Sequence, residues 1–181
     1  MTKKIVTVLL ACALLCVAAF AAAQSETIRL ADVGESKEAV LVLENPVTVN
    51  FDLEDVPAGF VYARVSRAGV ADVHIVIAPS EVAEGMSLAD LGEEGMAVLQ
   101  ELIGEQYADP IYETKTSPSG NLYLEVCSNE EESEIDTMLT LFEGYLIELD
   151  VYRDDFSKLS DEDKAFAEEI LYALWINETA E

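Results

Sequence analysis

Apolar residues alternate with polar ones along most of this chain and fall at helical spacing in only two stretches. That pattern predicts an α+β fold, mostly antiparallel β-sheet with two main helices packed on it. Ala39 to Leu43 and Val47 to Leu53 are apolar runs separated by Glu44-Asn45-Pro46, and they read as two strands joined by a tight turn. In the second run Val47, Val49, Phe51 and Leu53 alternate with Thr48, Asn50 and Asp52, so one face is expected to be buried and the other wet. Pro57-Ala58-Gly59 turns the chain into a strand from Phe60 to Val65, and Gly69 separates that from Asp72 to Ala78, where Val73, Ile75 and Ile77 alternate. The N-terminal half therefore reads as an antiparallel meander after a short polar lead.

The period then changes. Ser87 and Asp90 are spaced as a capping box ahead of Leu91, Val98, Leu99, Leu102 and Ile103. Gly92 and Gly95 weaken the first turns, which predicts a short turn near Leu88 and a main helix from about Glu93 to Gln106. Strands return at Ile111 to Lys115 and Asn121 to Cys127, around the loop Ser117-Pro118-Ser119-Gly120. Thr137 to Phe142 and Tyr145 to Tyr152 flank Glu143-Gly144, a two-residue hairpin connection. The second arm, with Tyr145, Ile147, Leu149 and Val151 on one side, is the clearest strand in the chain. A last helix starts at N-cap Ser160, with Asp163 three residues on and acidic Asp161 and Glu162 at the positive end of its dipole. Its stripe of Phe166, Ile170, Ala173 and Leu174, beside Ala167 and Leu171, is expected to lie across the sheet. No internal repeat or Pro- or Ser-rich linker divides residues 24 to 181, which read as one domain.

The first residues break this alternation. Lys3 and Lys4 precede an uncharged apolar run from Ile5 to Phe20, then Ala21-Ala22-Ala23 before Gln24-Ser25-Glu26, the anatomy of a secretory signal at residues 1–23 cut between Ala23 and Gln24. Two other readings stay open: an uncleaved anchor, since Ile5 to Ala23 can just span a bilayer, and a lipid anchor at Cys12 in Leu9-Leu10-Ala11-Cys12. Each places the domain outside the cytoplasm, secreted or periplasmic. Loss of the leader takes Cys12 and Cys16 with it and leaves Cys127 alone, so no intrachain disulfide is expected, and a small buried hydrophobe is the plainer role for that thiol.

Charge narrows the partners. All 36 Asp and Glu follow the leader while two of the ten Lys and Arg lie within it, so the remaining chain has a formal charge of −28. Such a field opposes nucleic acid and anionic membrane surfaces and favours a basic protein partner or divalent cations. A solvated surface tuned for solubility accounts for the same composition. With 51% hydrophobic residues the chain is nonetheless expected to fold.

Phe142-Glu143-Gly144-Tyr145-Leu146-Ile147, Leu159-Ser160-Asp161-Glu162-Asp163 and the closing Leu174-Trp175-Ile176, taken with the order of hairpins and helices, resemble the Mog1/PsbP/DcrB-like α/β/α sandwich. The chain is also similar to small exported bacterial proteins of unknown function. The likeness covers most of the mature chain as topology and its last quarter as sequence. It implies a layered fold and an envelope location, and it carries over no catalytic residue.

Candidate chemistry is sparse. The single histidine, His74, sits in a strand on the side opposite Val73, Ile75 and Ile77 and reads as a polar-face residue; a dyad with Cys127 stays open, although no local motif points to it. One His and one Cys are too few for zinc or copper sites of the usual kind. Asp150, Asp154, Asp155 and Asp161 are the calcium candidates, yet an EF-hand register begun at Asp150 places Tyr152 third, Asp155 sixth and Asp161 twelfth, where the loop wants an oxygen, a glycine and a glutamate. Glu130, Glu131, Glu132 and Glu134 read as a solvated acidic loop that could bind calcium loosely. The tyrosines and Trp175 read as core and sheet-face residues that could also line a recognition groove. The function these features favour is a non-catalytic binding or adaptor domain, with no cofactor expected beyond calcium and contact through a basic partner or an exposed sheet edge. The alternatives are an exported hydrolase using paired carboxylates and a calcium-stabilised accessory protein.

Overall fold

The computed structural model describes residues 25–178 apart from 34–35, 52–55, 58, 81–85, 106, 108, 129–133, 143 and 156. The leader with Cys12, Ala23 and Gln24, and the run Glu130 to Glu132, lie outside the described residues.

The strand with the clearest alternation is the middle strand of the larger sheet. That sheet holds β3 (Thr48–Asn50), β4 (Val61–Ser66), β5 (Asp72–Pro79), β6 (Pro110–Thr116), β7 (Leu122–Ser128), β8 (Asp136–Phe142) and β9 (Tyr145–Tyr152), in the order β3-β4-β5-β9-β8-β7-β6, each pair antiparallel. Burial alternates strictly along β4 and β5, as the period-2 pattern requires. Phe142 pairs with Tyr145, the pairing that the expected tight hairpin requires, and Gly144 sits at φ 86° where a Cβ would be strained.

A second sheet was not foreseen. β1 (Glu26–Asp32), β2 (Lys37–Leu43) and β10 (Leu174–Glu178) form it in the order β1-β2-β10. The polar lead is thus a strand, with a register shift between Arg29 and Ala31. β2 and β3 do not pair as a hairpin: β2 joins β1 and β10, whereas β3 joins β4 at the edge of the large sheet. Beyond Asn50 the predicted alternation fails, since Phe51 is half exposed, while Leu53 lies outside the described residues.

Among the described residues, two α-helices cover opposite faces of the large sheet. α2 (Asp161–Ala173), with the second sheet, closes one face over a core of Leu41, Leu43, Ala63, Val65, Ile75, Ile77, Leu149, Val151, Phe166 and Ile170. On the other face a 3-10 turn at Leu88–Leu91 leads into α1 (Gly92–Gly104), and Leu88, Leu99 and Ile103 pack against Leu124, Val126 and Leu139 of β7 and β8. The proposed stripe of α1 is too wide: Leu99 and Ile103 turn inward, but Val98 and Leu102, one residue back and about 100° round the helix, are exposed. Gly104 has its own reason, because a Cβ there would overlap the Tyr112 hydroxyl, which donates to the Gln100 carbonyl at 2.7 Å.

α2 begins where the sequence places it. Ser160 and Asp163 complete the capping box, and the Asp163 carboxylate also accepts from Ala71 N at 2.6 Å and from Arg153 at 2.7–3.0 Å. Nearly two turns on, Glu169 forms a two-pronged pair with Arg67 at 2.7 Å, and that guanidinium lies over the Phe166 ring. Burial would raise the Asp163 carboxyl, but bonds from the Ser160 and Ala71 backbones, the Ser160 hydroxyl and Arg153 outweigh it and hold it at about 2. A depressed carboxylate contributes stability above its unfolded value, about 4, and that contribution disappears as pH falls through the folded value. Asp163→Asn is therefore expected to cost roughly 3 kcal/mol at neutral pH, read from the urea midpoint, and to lose the part of the acid limb between pH 4 and 2 that the wild type shows. A variant with an unchanged midpoint would show that Asp163 is not the anchor of α2.

Candidate functional site

Register across the large sheet sets one row of polar side chains on the face that carries α1. Arg64 of β4 lies opposite His74 of β5, His74 opposite Asp150 of β9, and Asp150 opposite Thr137 of β8. The neighbouring rows add Tyr152 opposite Asp72, and Glu148 opposite Val76, which itself faces Tyr62. Every one of these side chains except Thr137 is only half-buried. α1 covers β6 to β8, and among the described residues no helix covers the half built from β3, β4, β5 and β9.

The contacts within this surface form a chain. His74 stacks on Tyr152, with ring centroids 4.6 Å apart and planes 7° from parallel, and its Nδ1 is hydrogen-bonded to the Tyr62 hydroxyl. Thr137 donates to Asp150 at 2.6 Å, and Tyr107, just past α1, is hydrogen-bonded to the same threonine. Burial raises the carboxyls of both Glu148 and Asp150, and the nearby Asp150 charge raises Glu148 further. Burial lowers the His74 ring, partly offset by Asp72 and Asp150, and pushes the Tyr107 hydroxyl up to about 12. Two desolvated carboxyls beside stacked aromatic rings make a surface suited to a cation. Acid–base division of labour would want the two carboxyls moved apart, and here both move the same way.

The remaining candidates are dispersed. Asp154 and Asp155 are exposed in the turn after β9, with Asp155 accepting from Ser157 N at 3.0 Å, and Asp161 is exposed at the first residue of α2. Asp150 faces Thr137 instead, so the four calcium candidates do not converge. Glu134 is occupied with Lys164 at 2.6 Å and the Leu159 amide at 3.1 Å. Cys127 stands opposite Asp136, on the α2 side, whereas His74 is on the α1 side; the sheet separates them and no dyad forms.

Spacing in the sequence missed a second group. Glu125, Cys127 and Asp136 bring one ligand atom each within 4.8 Å of one another between β7 and α2. Burial pushes the Cys127 thiol up to about 12, assisted by Asp136 and Glu125, and burial with the Glu125 charge raises Asp136. Glu125 pairs with Lys115. A cavity of about 40 Å³ lined by Tyr123, Thr140, Tyr172 and Trp175 lies at the other end of this face, with room for about three waters. No family model matches the chain, and no curated protein matches it.

Since Glu148 and Asp150 are both raised, their stabilising contribution is full below the ordinary carboxylate range and declines as pH climbs through their elevated values. Glu148→Gln removes one titration and the like charge beside Asp150. Its melting temperature relative to wild type is expected to rise from pH 4 to pH 8; parallel curves across that range would refute the pairing.

Proposed function

We propose that this chain is a non-catalytic binding domain, exported from the cell by its leader, whose uncovered half-sheet takes a lysine or arginine side chain of a basic protein partner. The observation that carries the reading is the half-buried pair Glu148 and Asp150 beside the stacked rings of His74 and Tyr152. A guanidinium or ammonium there gains a carboxylate and an aromatic face together, in a setting drier than open surface. The formal charge of −28 beyond the leader supports the same partner by drawing cations toward the domain. The Mog1/PsbP/DcrB-like likeness enters this proposal as fold-level analogy only.

Fluorescence anisotropy with a labelled lysine octapeptide tests the site. Glu148→Gln with Asp150→Asn is expected to weaken binding at least tenfold, whereas Glu93→Gln with Glu94→Gln, an equal loss of charge on the exposed first turn of α1, changes it less than twofold. Equal effects of the two pairs would mean that the peptide senses only the overall field, and the assignment to this surface would fall.

A further inference from the structure

We infer that Glu125, Cys127 and Asp136 form a binding site for one thiophilic divalent cation of the zinc class. Glu125 and Cys127 are two residues apart on β7, so their side chains share a face, and Asp136 of β8 stands directly opposite Cys127. Their ligand atoms lie within 4.8 Å of one another, and the Cys127 sulfur is 3.4 Å from Asp136 Oδ1. Zinc–sulfur and zinc–oxygen bonds of about 2.3 and 2.0 Å at tetrahedral angles set such a pair about 3.5 Å apart.

The separate observation is Asp136 itself. It is fully buried; its Oδ1 takes the Cys127 thiol, its Oδ2 meets no hydrogen-bond donor among the described residues, and the Glu125 carboxyl lies within hydrogen-bonding reach of the same group. A buried carboxylate oxygen left in that state is costly, and a dication offers it a partner. Nearby charges fit supporting roles: Lys115 holds the Glu125 carboxylate, as ligating carboxylates are commonly held, while Lys164 is paired with Glu134. Cys127 is half-buried, whereas Glu125 and Asp136 are buried, so it is the least enclosed residue of the trio. A thiol among two carboxylates selects a soft-tolerant ion over calcium or magnesium, which want six or more oxygens or octahedral geometry. Binding releases the thiol proton to water and forms a metal–sulfur bond, with no change of oxidation state.

The experiment uses the full chain in a Cys12→Ser, Cys16→Ser background, where Cys127 is the only thiol. After treatment with chelator, addition of Cd²⁺ or Co²⁺ is expected to produce a thiolate-to-metal charge-transfer band that saturates at one equivalent and is competed away by Zn²⁺. Cys127→Ala should abolish the band, and Asp136→Asn should weaken affinity by more than the roughly 100-fold upper limit for loss of a mere supporting contact. Absence of the band in the parent overturns the site. So does a band that Asp136→Asn leaves at full affinity, because the sulfur would then bind metal alone. A proton shared by Asp136 and Glu125 is the rival partner for Oδ2; it predicts no band and an Asp136→Asn protein whose melting temperature is the same in chelator and in zinc.

Discussion

Much of this molecule depends on where one buried carboxylate finds its hydrogen bonds. Asp163 caps its own helix through Ser160, and the same two oxygens reach Ala71 at the start of β5 and Arg153 after β9. A local helix-start signal thereby becomes a tertiary joint between α2 and two neighbouring strands of the large sheet. Buried ion pairs of this kind are geometry-setting more than strongly stabilising, since desolvation offsets much of the attraction. Their effect is to fix register. With Asp163 and the Arg67–Glu169 pair in place, Phe166 and Ile170 can meet the sheet in only one rotation, and the end of the helix is delivered to β2.

That delivery explains the second sheet. Leu174 ends the helix with φ −83° and ψ 128°, already extended, and pairs with Leu41 while Ile176 pairs with Ala39. The second sheet and α2 then share one side of the large sheet, and the Tyr145 hydroxyl donates to the Val33 carbonyl to tie the sheets together. Among the described residues, the helix on the opposite side covers β6 to β8 and reaches only Leu146 of β9. What is left is a polar half-face whose side chains are drier than ordinary surface groups and wetter than core.

The parts of this plan that were legible in the sequence are those set by short-range chemistry. The capping box of Ser160 and Asp163, the alternation along β9 and the Glu143-Gly144 turn each declare themselves within a few residues. β10 could not be read this way, because Leu174 continues the helical stripe of Ile170 and Ala173 and becomes a strand residue only through its pairing with β2. β1 fails similarly: Thr27, Arg29 and Asp32 make it look like a polar tail, and only the partner strand supplies the reason for it to be extended. The candidate sites were hidden for the same reason. His74 lies on the polar face that its own alternation implies, but its neighbours Asp150 and Tyr62 depend on the registers of β9 and β4.

The two acidic groups also differ in a way that separates their roles. Glu148 and Asp150 are half-buried, and Thr137 supplies a hydroxyl that steadies Asp150, with no helix over them among the described residues. A group held like that can exchange one partner for another at small cost, which suits recognition. Asp136 is fully buried and keeps an oxygen with no donor among the described residues. A fold that keeps so much of its negative charge at the surface has little reason to bury this one for solubility. The other Asp136 oxygen takes the Cys127 thiol at 3.4 Å, so a cation of the kind proposed would meet a group already half satisfied and would complete it.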